Sequence, residues 1–287
     1  MSALTFTPSG ICCAAGDFCV DPWRPVSRTL ITRGHADHAG SGMGAYLAAG
    51  PAPPVMQYRL GDVAIQTVRY GETRRIGDAT VSFHPAGHVP GSAQIRVEVA
   101  GEVRGAPGDC KMVDDGLSTP FEPFTRHRFI TESMFGLPVF RWPDQAEAAR
   151  RINGWRAICA AAGKTAFPGC YALGKAQRLL TLLDQNNGPV LAHTAIENTN
   201  ATMRTQDIRL PRTVLAGPAF VPEDHPGALV LAPPSAPDSA WARKFGPGET
   251  AFASGWNGMV SIYDNPHLRN VAQPLKKYAI HYPQMPP

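Results

Sequence analysis

Gly34-His35-Ala36-Asp37-His38 places two imidazoles and a carboxylate within four residues of one another. The run before it, Arg28-Thr29-Leu30-Ile31-Thr32, is apolar and β-branched enough to form a buried strand. The three side chains then fall in the turn beyond that strand's end, the kind of place where a protein assembles a metal site. Three more polar residues stand at strand-to-turn junctions. His88 sits in Pro85-Ala86-Gly87-His88-Val89-Pro90-Gly91-Ser92, Asp109 in Gly108-Asp109-Cys110, and Glu132 after Arg128-Phe129-Ile130-Thr131. Neutral imidazoles and carboxylates suit zinc or manganese. Two such ions about 3.5–4 Å apart can share a hydroxide and clamp a phosphoryl oxygen. Alone, each residue has a plainer explanation: a loop histidine, a turn aspartate, a solvated strand end. The argument rests on their company.

These residues need a scaffold of strands whose loops converge on one edge. Val63 to Val68, Ala79 to His84 and Ala93 to Val99 read as strands, and Gly101 as a hairpin turn into Glu102-Val103-Arg104. After Pro143 the texture changes. Asp144 to Ala162 carries Ala148, Ile152, Trp155 and Cys159 at helical spacing, and Gly163 ends it. Further helices are expected over 175–186 and 194–206. Short apolar runs at 189–192, 213–216 and 228–231 alternate with them, an α/β texture. The expected division is a first part over 1–136, an inserted α/β part over 137–227, and a return segment over 228–287. Gly174-Lys175 opens a helix, where free N–H groups bind phosphate.

The 287 residues carry 27 Lys and Arg against 23 Asp and Glu, a net charge of +4 that is compatible with a polyanionic partner without requiring one. No apolar run approaches membrane-spanning length. The N-terminus lacks the zones of a signal peptide, so the expected location is cytoplasmic. The six cysteines, Cys12, Cys13, Cys19, Cys110, Cys159 and Cys170, match no zinc-finger spacing and are expected to be reduced.

The chain resembles the bacterial ligase-associated DNA damage response exonucleases, in the β-CASP branch of the metallo-β-lactamase superfamily. The resemblance runs through Ala15-Gly16-Asp17-Phe18, Asp21-Pro22-Trp23-Arg24-Pro25-Val26, His35-Ala36-Asp37-His38, Pro85-Ala86-Gly87-His88 and Gly91-Ser92-Ala93-Gln94-Ile95. It continues through Gly108-Asp109, Thr131-Glu132-Ser133-Met134-Phe135-Gly136 and Leu173-Gly174-Lys175-Ala176-Gln177-Arg178, ending near Ser254-Gly255-Trp256. It implies an α/β fold: a metallo-β-lactamase αββα sandwich carrying a β-CASP-like insertion. By position it implies that His35 and His88 bind one metal, Asp37 and His38 the other, and Asp109 both. Asp37 and Glu132 would be catalytic, and Lys175 and Arg178 would contact nucleic acid. The implied activity is metal-dependent hydrolysis of DNA phosphodiesters by exonuclease action in DNA repair, with two zinc or manganese ions. The implied partners are DNA, an ATP-dependent DNA ligase and a helicase.

The sequence departs from that pattern twice. Arg33 stands where a histidine ligand of the first metal is expected. Arginine stays protonated and offers no lone pair, and its charge repels cations unless the side chain swings away. After Trp256 the motifs that would supply the acid histidine and a last ligand are not found; His267 and His281 are the remaining histidines that could substitute. The alternative is therefore a catalytically silent homologue that binds nucleic acid or a repair partner. A small-molecule hydrolase on the same scaffold is a third reading.

Overall fold

The computed structural model describes residues 2–131, 144–217, 221, 225, 227–237, 239–253 and 260–262. They fall into two compact units, divided between Ser133 and Met134.

The first unit is built of short strands. β1 (Thr5–Thr7), β2 (Gly10–Cys13), β3 (Phe18–Val20), β4 (Thr29–Ile31) and β5 (Tyr46–Ala49) precede helix α1 (Pro53–Leu60). β6 (Ile65–Val68), β7 (Thr73–Ile76), β8 (Ala79–Pro85), β9 (Ala93–Val99), β10 (Glu102–Ala106) and β11 (Arg128–Phe129) follow. One sheet has the order β1-β2-β3-β4-β5-β6 and the other β11-β10-β9-β8-β7. The alternation read in the sequence sets their contact. Val81 and Phe83 of β8, with Ala93, Ile95, Val97 and Val99 of β9, pack on Phe18, Val20, Leu30, Leu47 and Val68 of the other sheet. Ile31, Tyr46 and Ala48 pack on the far side with Ala52 and Met56 at α1. Among the described residues, α1 is the helix flanking this sandwich.

The second unit contains α2 (Gln145–Ala161), β12 (Thr165–Gly169), α3 (Lys175–Leu182), β13 (Val190–Ala192), α4 (Thr194–Arg204), β14 (Val214–Leu215), β15 (Leu229–Leu231), β16 (Gly248–Ala253) and β17 (Val260–Ile262). The sheet order is β14-β13-β15-β12-β16-β17, with every pair parallel except β16–β17. Asp144 caps α2 by accepting from the Glu147 N–H at 2.7 Å. Ile152, Trp155 and Cys159 of α2 pack on Leu179 and Leu180 of α3 and on the sheet.

Three sequence expectations change. β15 and β16, assigned to a return segment starting at 228, are hydrogen-bonded into the second unit's sheet on either side of β12. α3 ends at Leu182 because Leu183 is extended, with ψ 132°. Cys12 and Cys19 are joined in a disulfide rather than reduced. Antiparallel β2–β3 pairing puts them directly opposite each other, a juxtaposition that linear spacing does not reveal. Glu132, His267 and His281 lie outside the described residues, as does the Ser254-Gly255-Trp256 segment. Among the described residues, no helix is long and apolar enough to cross a membrane.

Candidate metal centre

Three strands of the first unit deliver the candidate site. β4 ends at Ile31, and Thr32 to His38 follow it. β8 leads into the loop bearing His88, and β10 into the loop bearing Asp109. Each loop is fixed by its own bonds. The Thr32–His38 turn closes through the His38 N–H to the His35 carbonyl at 3.1 Å. From α1, Arg59 donates to the Gly34 carbonyl at 2.6 Å and the Ala39 carbonyl at 3.3 Å. In the His88 loop, Ser92 Oγ accepts from the N–H groups of His88 and Val89 at 3.1 and 3.2 Å. Gly87 has φ 69°, and a Cβ there would lie 2.2 Å from the Lys111 carbonyl oxygen, so glycine alone permits this approach.

His35, His88 and Asp109 each bring a ligand atom to within 4.8 Å of the others. The His35 and His88 rings meet edge to face at 5.3 Å, and His88 Nε2 lies 3.4 Å from Asp109 Oδ2. Burial holds the His88 pKa down to about 3, helped by the neighbouring His35 and His38 imidazoles and the charges of Arg33 and Lys111. His88 is therefore a neutral lone-pair donor at ordinary pH.

Asp37 and His38 form the other side of the cluster, with Asp37 Oδ2 3.3 Å from His38 Nε2. The Asp37 side chain is 54% exposed and the His38 side chain 6%. His38 Nδ1 donates to Asp21 Oδ2 at 2.6 Å, and the same oxygen accepts from Thr32 Oγ1 at 2.5 Å. Asp21 Oδ1 accepts from the Thr32 N–H at 2.8 Å. A carboxylate behind an imidazole fixes the tautomer and aims Nε2 forward, as in metal sites. Sequence reasoning missed Asp21 and Arg59 as positioning residues, because each acts on a loop at least 11 residues away in the chain.

Arg33 does not swing away. It is 2% exposed. Its Nε donates to His35 Nδ1 at 3.0 Å, and its Nη2 lies 2.7 Å from Asp109 Oδ2 and 3.9 Å from Asp37 Oδ2. By donor chemistry the trio fits one zinc or manganese ion, since two imidazoles and a carboxylate are a familiar three-residue set with a position left open. The two-ion arrangement implied by the resemblance goes further: among the described residues, His35, His88 and Asp109 are the group gathered closely enough to hold an ion. Lys175 and Arg178 belong to α3 in the second unit. Burial lowers the Lys175 pKa, and its Nζ stands 5.8 Å from the Tyr171 ring centroid.

The first unit is thus a two-sheet sandwich with a possible His/His/Asp metal group at one edge, and the second a mixed α/β unit. Comparison with known proteins gives distant similarity to β-CASP metallo-β-lactamase nucleases. The chain is 29% identical over 245 residues, 83% of its length, to a probable DNA ligase of Opitutus terrae, covering 23% of that protein. It is 31% identical over 126 residues to the endoribonuclease ysh1 of Aspergillus fumigatus, 42% of this chain and 14% of the relative. It is 26% identical over 125 residues to the RNase aCSPSF2 of Saccharolobus solfataricus, 42% of this chain and 25% of that protein. The chain thus spans a quarter or less of the length of these relatives. No protein-family model matches it.

Proposed function

We propose that this chain is a metal-dependent nuclease that hydrolyses DNA phosphodiesters, acting from ends, on a metallo-β-lactamase αββα scaffold with a β-CASP-like second part. The observation that carries this reading is the convergence of His35, His88 and Asp109 from three separate loops. The similarity to a probable DNA ligase along 83% of the chain favours DNA over RNA as substrate and a ligase as a companion.

His35, His88 and Asp109 would hold the ion. When bound, it supplies Lewis-acid polarisation of a phosphoryl oxygen. His88 enters as a neutral donor. Asp21 keeps the His38 proton on Nδ1 and so turns Nε2 toward Asp37. Asp37, whose side chain is exposed to solvent, would take a proton from water at Oδ2, and Glu132 would orient the acid that serves the leaving group. Lys175 and Arg178 would grip the DNA backbone. The test is digestion of end-labelled DNA with Mn²⁺ or Zn²⁺. Products that disappear in Asp109→Ala support the reading, and equal activity in that variant overturns it.

The ion pair between Arg33 and Asp109 favours a second reading, a silent homologue that binds DNA without cutting it. It predicts binding that weakens as salt rises and no turnover with any divalent ion.

A further inference from the structure

We propose that the Arg33 guanidinium is the resident cation of the His35–His88–Asp109 site, so that its pairing there and the binding of a divalent ion exclude one another. This rests on reading the cluster as a metal site, but it concerns what fills the site and not whether DNA is cut.

Two of the three donors are already engaged by Arg33. Its Nε–H occupies the lone pair of His35 Nδ1, and its Nη2 lies on Asp109 Oδ2. Asp37 faces the same nitrogen at 3.9 Å. One fixed positive charge thus lies against two carboxylates, the kind of compensation a buried guanidinium requires. The surrounding backbone is fitted to it as well. Gly108, with φ 57°, passes so close that a Cβ would lie 2.8 Å from Arg33 Nη1 and 2.5 Å from Thr32 Oγ1. The backbone just before Asp109 thus runs against the guanidinium, and a side chain at Gly108 would collide with it.

A divalent ion entering this space must take Asp109 from Arg33 and free His35 Nδ1 or turn its ring. It must also tolerate a guanidinium within a few ångströms. Metal affinity is accordingly low, while the metal-free fold is already compensated. The ion-free and ion-bound arrangements compete for the same donors.

The test uses the full chain and reads metal content and thermal unfolding, neither of which depends on turnover. Wild type, Arg33→His and Arg33→Met are dialysed against zinc or against a chelator. Wild type is expected to retain well under one zinc per chain and to unfold at the same temperature in both conditions. Arg33→His, which removes the charge and offers an imidazole, is expected to bind zinc at least about tenfold more tightly, by analogy with the loss of a supporting partner. It should also gain thermal stability on adding zinc. Arg33→Met removes the charge and its bonds to His35 and Asp109 without adding an imidazole, and should be less stable than wild type with chelator and regain stability with zinc. Stoichiometric, stabilising zinc in wild type would overturn the proposal, as would Arg33 variants with unchanged affinity. If neither variant folds, the wild-type response to zinc and chelator still decides the matter.

Discussion

Replacing Asp21 tests how the site is positioned. Its carboxylate accepts three hydrogen bonds, from the Thr32 N–H at 2.8 Å, Thr32 Oγ1 at 2.5 Å and His38 Nδ1 at 2.6 Å. Hydrogen bonds to a charged group contribute about 1.5–3 kcal/mol each, and donors left buried without partners add to the loss. Because Thr32 and His38 are buried at 1% and 6% exposure, water replaces little of what is lost. Asp21 also has φ 43°, a conformation that aspartate and asparagine adopt more readily than alanine. Asp21→Ala should therefore destabilise the first unit by about 4 kcal/mol, moving its urea midpoint down by about 2 M at a slope near 2 kcal/mol/M. Asp21→Asn keeps the backbone preference and an acceptor for the Thr32 N–H but loses the charge, and should cost about half as much. Nitrogen NMR of His38 should report loss of the Nδ1–H tautomer in both variants. An Asp21→Ala midpoint within about 0.5 M of wild type, roughly 1 kcal/mol, would refute the claim that this carboxylate organises Thr32 and His38.

Gly87→Ala should cost about 3 kcal/mol or more, because its Cβ meets the Lys111 carbonyl; Gly101→Ala, with φ 81° but open space around it, should cost only about 1–2 kcal/mol, and urea titration of the pair separates collision from backbone strain. Reducing the Cys12–Cys19 disulfide, which closes a loop of sequence separation 7, should lower stability by about 2–3 kcal/mol, read by unfolding with and without reductant. His84 has its pKa lowered, chiefly by burial and then by Arg96. Between that lowered value and the unfolded value near 6.5, the folded state binds fewer protons than the unfolded one. Its contribution is full above about pH 6.5 and declines as pH falls through that window. His84→Gln should flatten the pH–stability curve there, and an unchanged slope would contradict the assignment.

Much of the site was legible because strand ends announce themselves. β9 coincides with the alternating run Ala93 to Val99, and the turn after it contains Gly101 with φ 81°. His35, His88 and Asp109 could be named from such junctions, since a loop after a buried strand of a sandwich has few directions to take. Sequence does not show which distant residue lies behind a ligand. Asp21 reaches His38 through the parallel pairing of β3 with β4, and Arg59 reaches Gly34 from α1. The same holds for the cystine, which depends on β2–β3 register. The place of β15 and β16 depends on parallel crossovers, whose partners local pattern does not specify. Arg33 could be recognised as unable to ligate. That it stays in the site and takes up Asp109 follows only from geometry.

The central claim, a phosphodiesterase site built from His35, His88 and Asp109, is tested most directly by turnover. The rate of product release from end-labelled DNA would be measured for wild type, Arg33→His and Asp109→Ala across a manganese series. The account predicts slow hydrolysis by wild type that rises without saturating through the millimolar range. It predicts faster hydrolysis that saturates at lower manganese for Arg33→His, and none for Asp109→Ala. Absence of hydrolysis in both wild type and Arg33→His at every manganese concentration would contradict it.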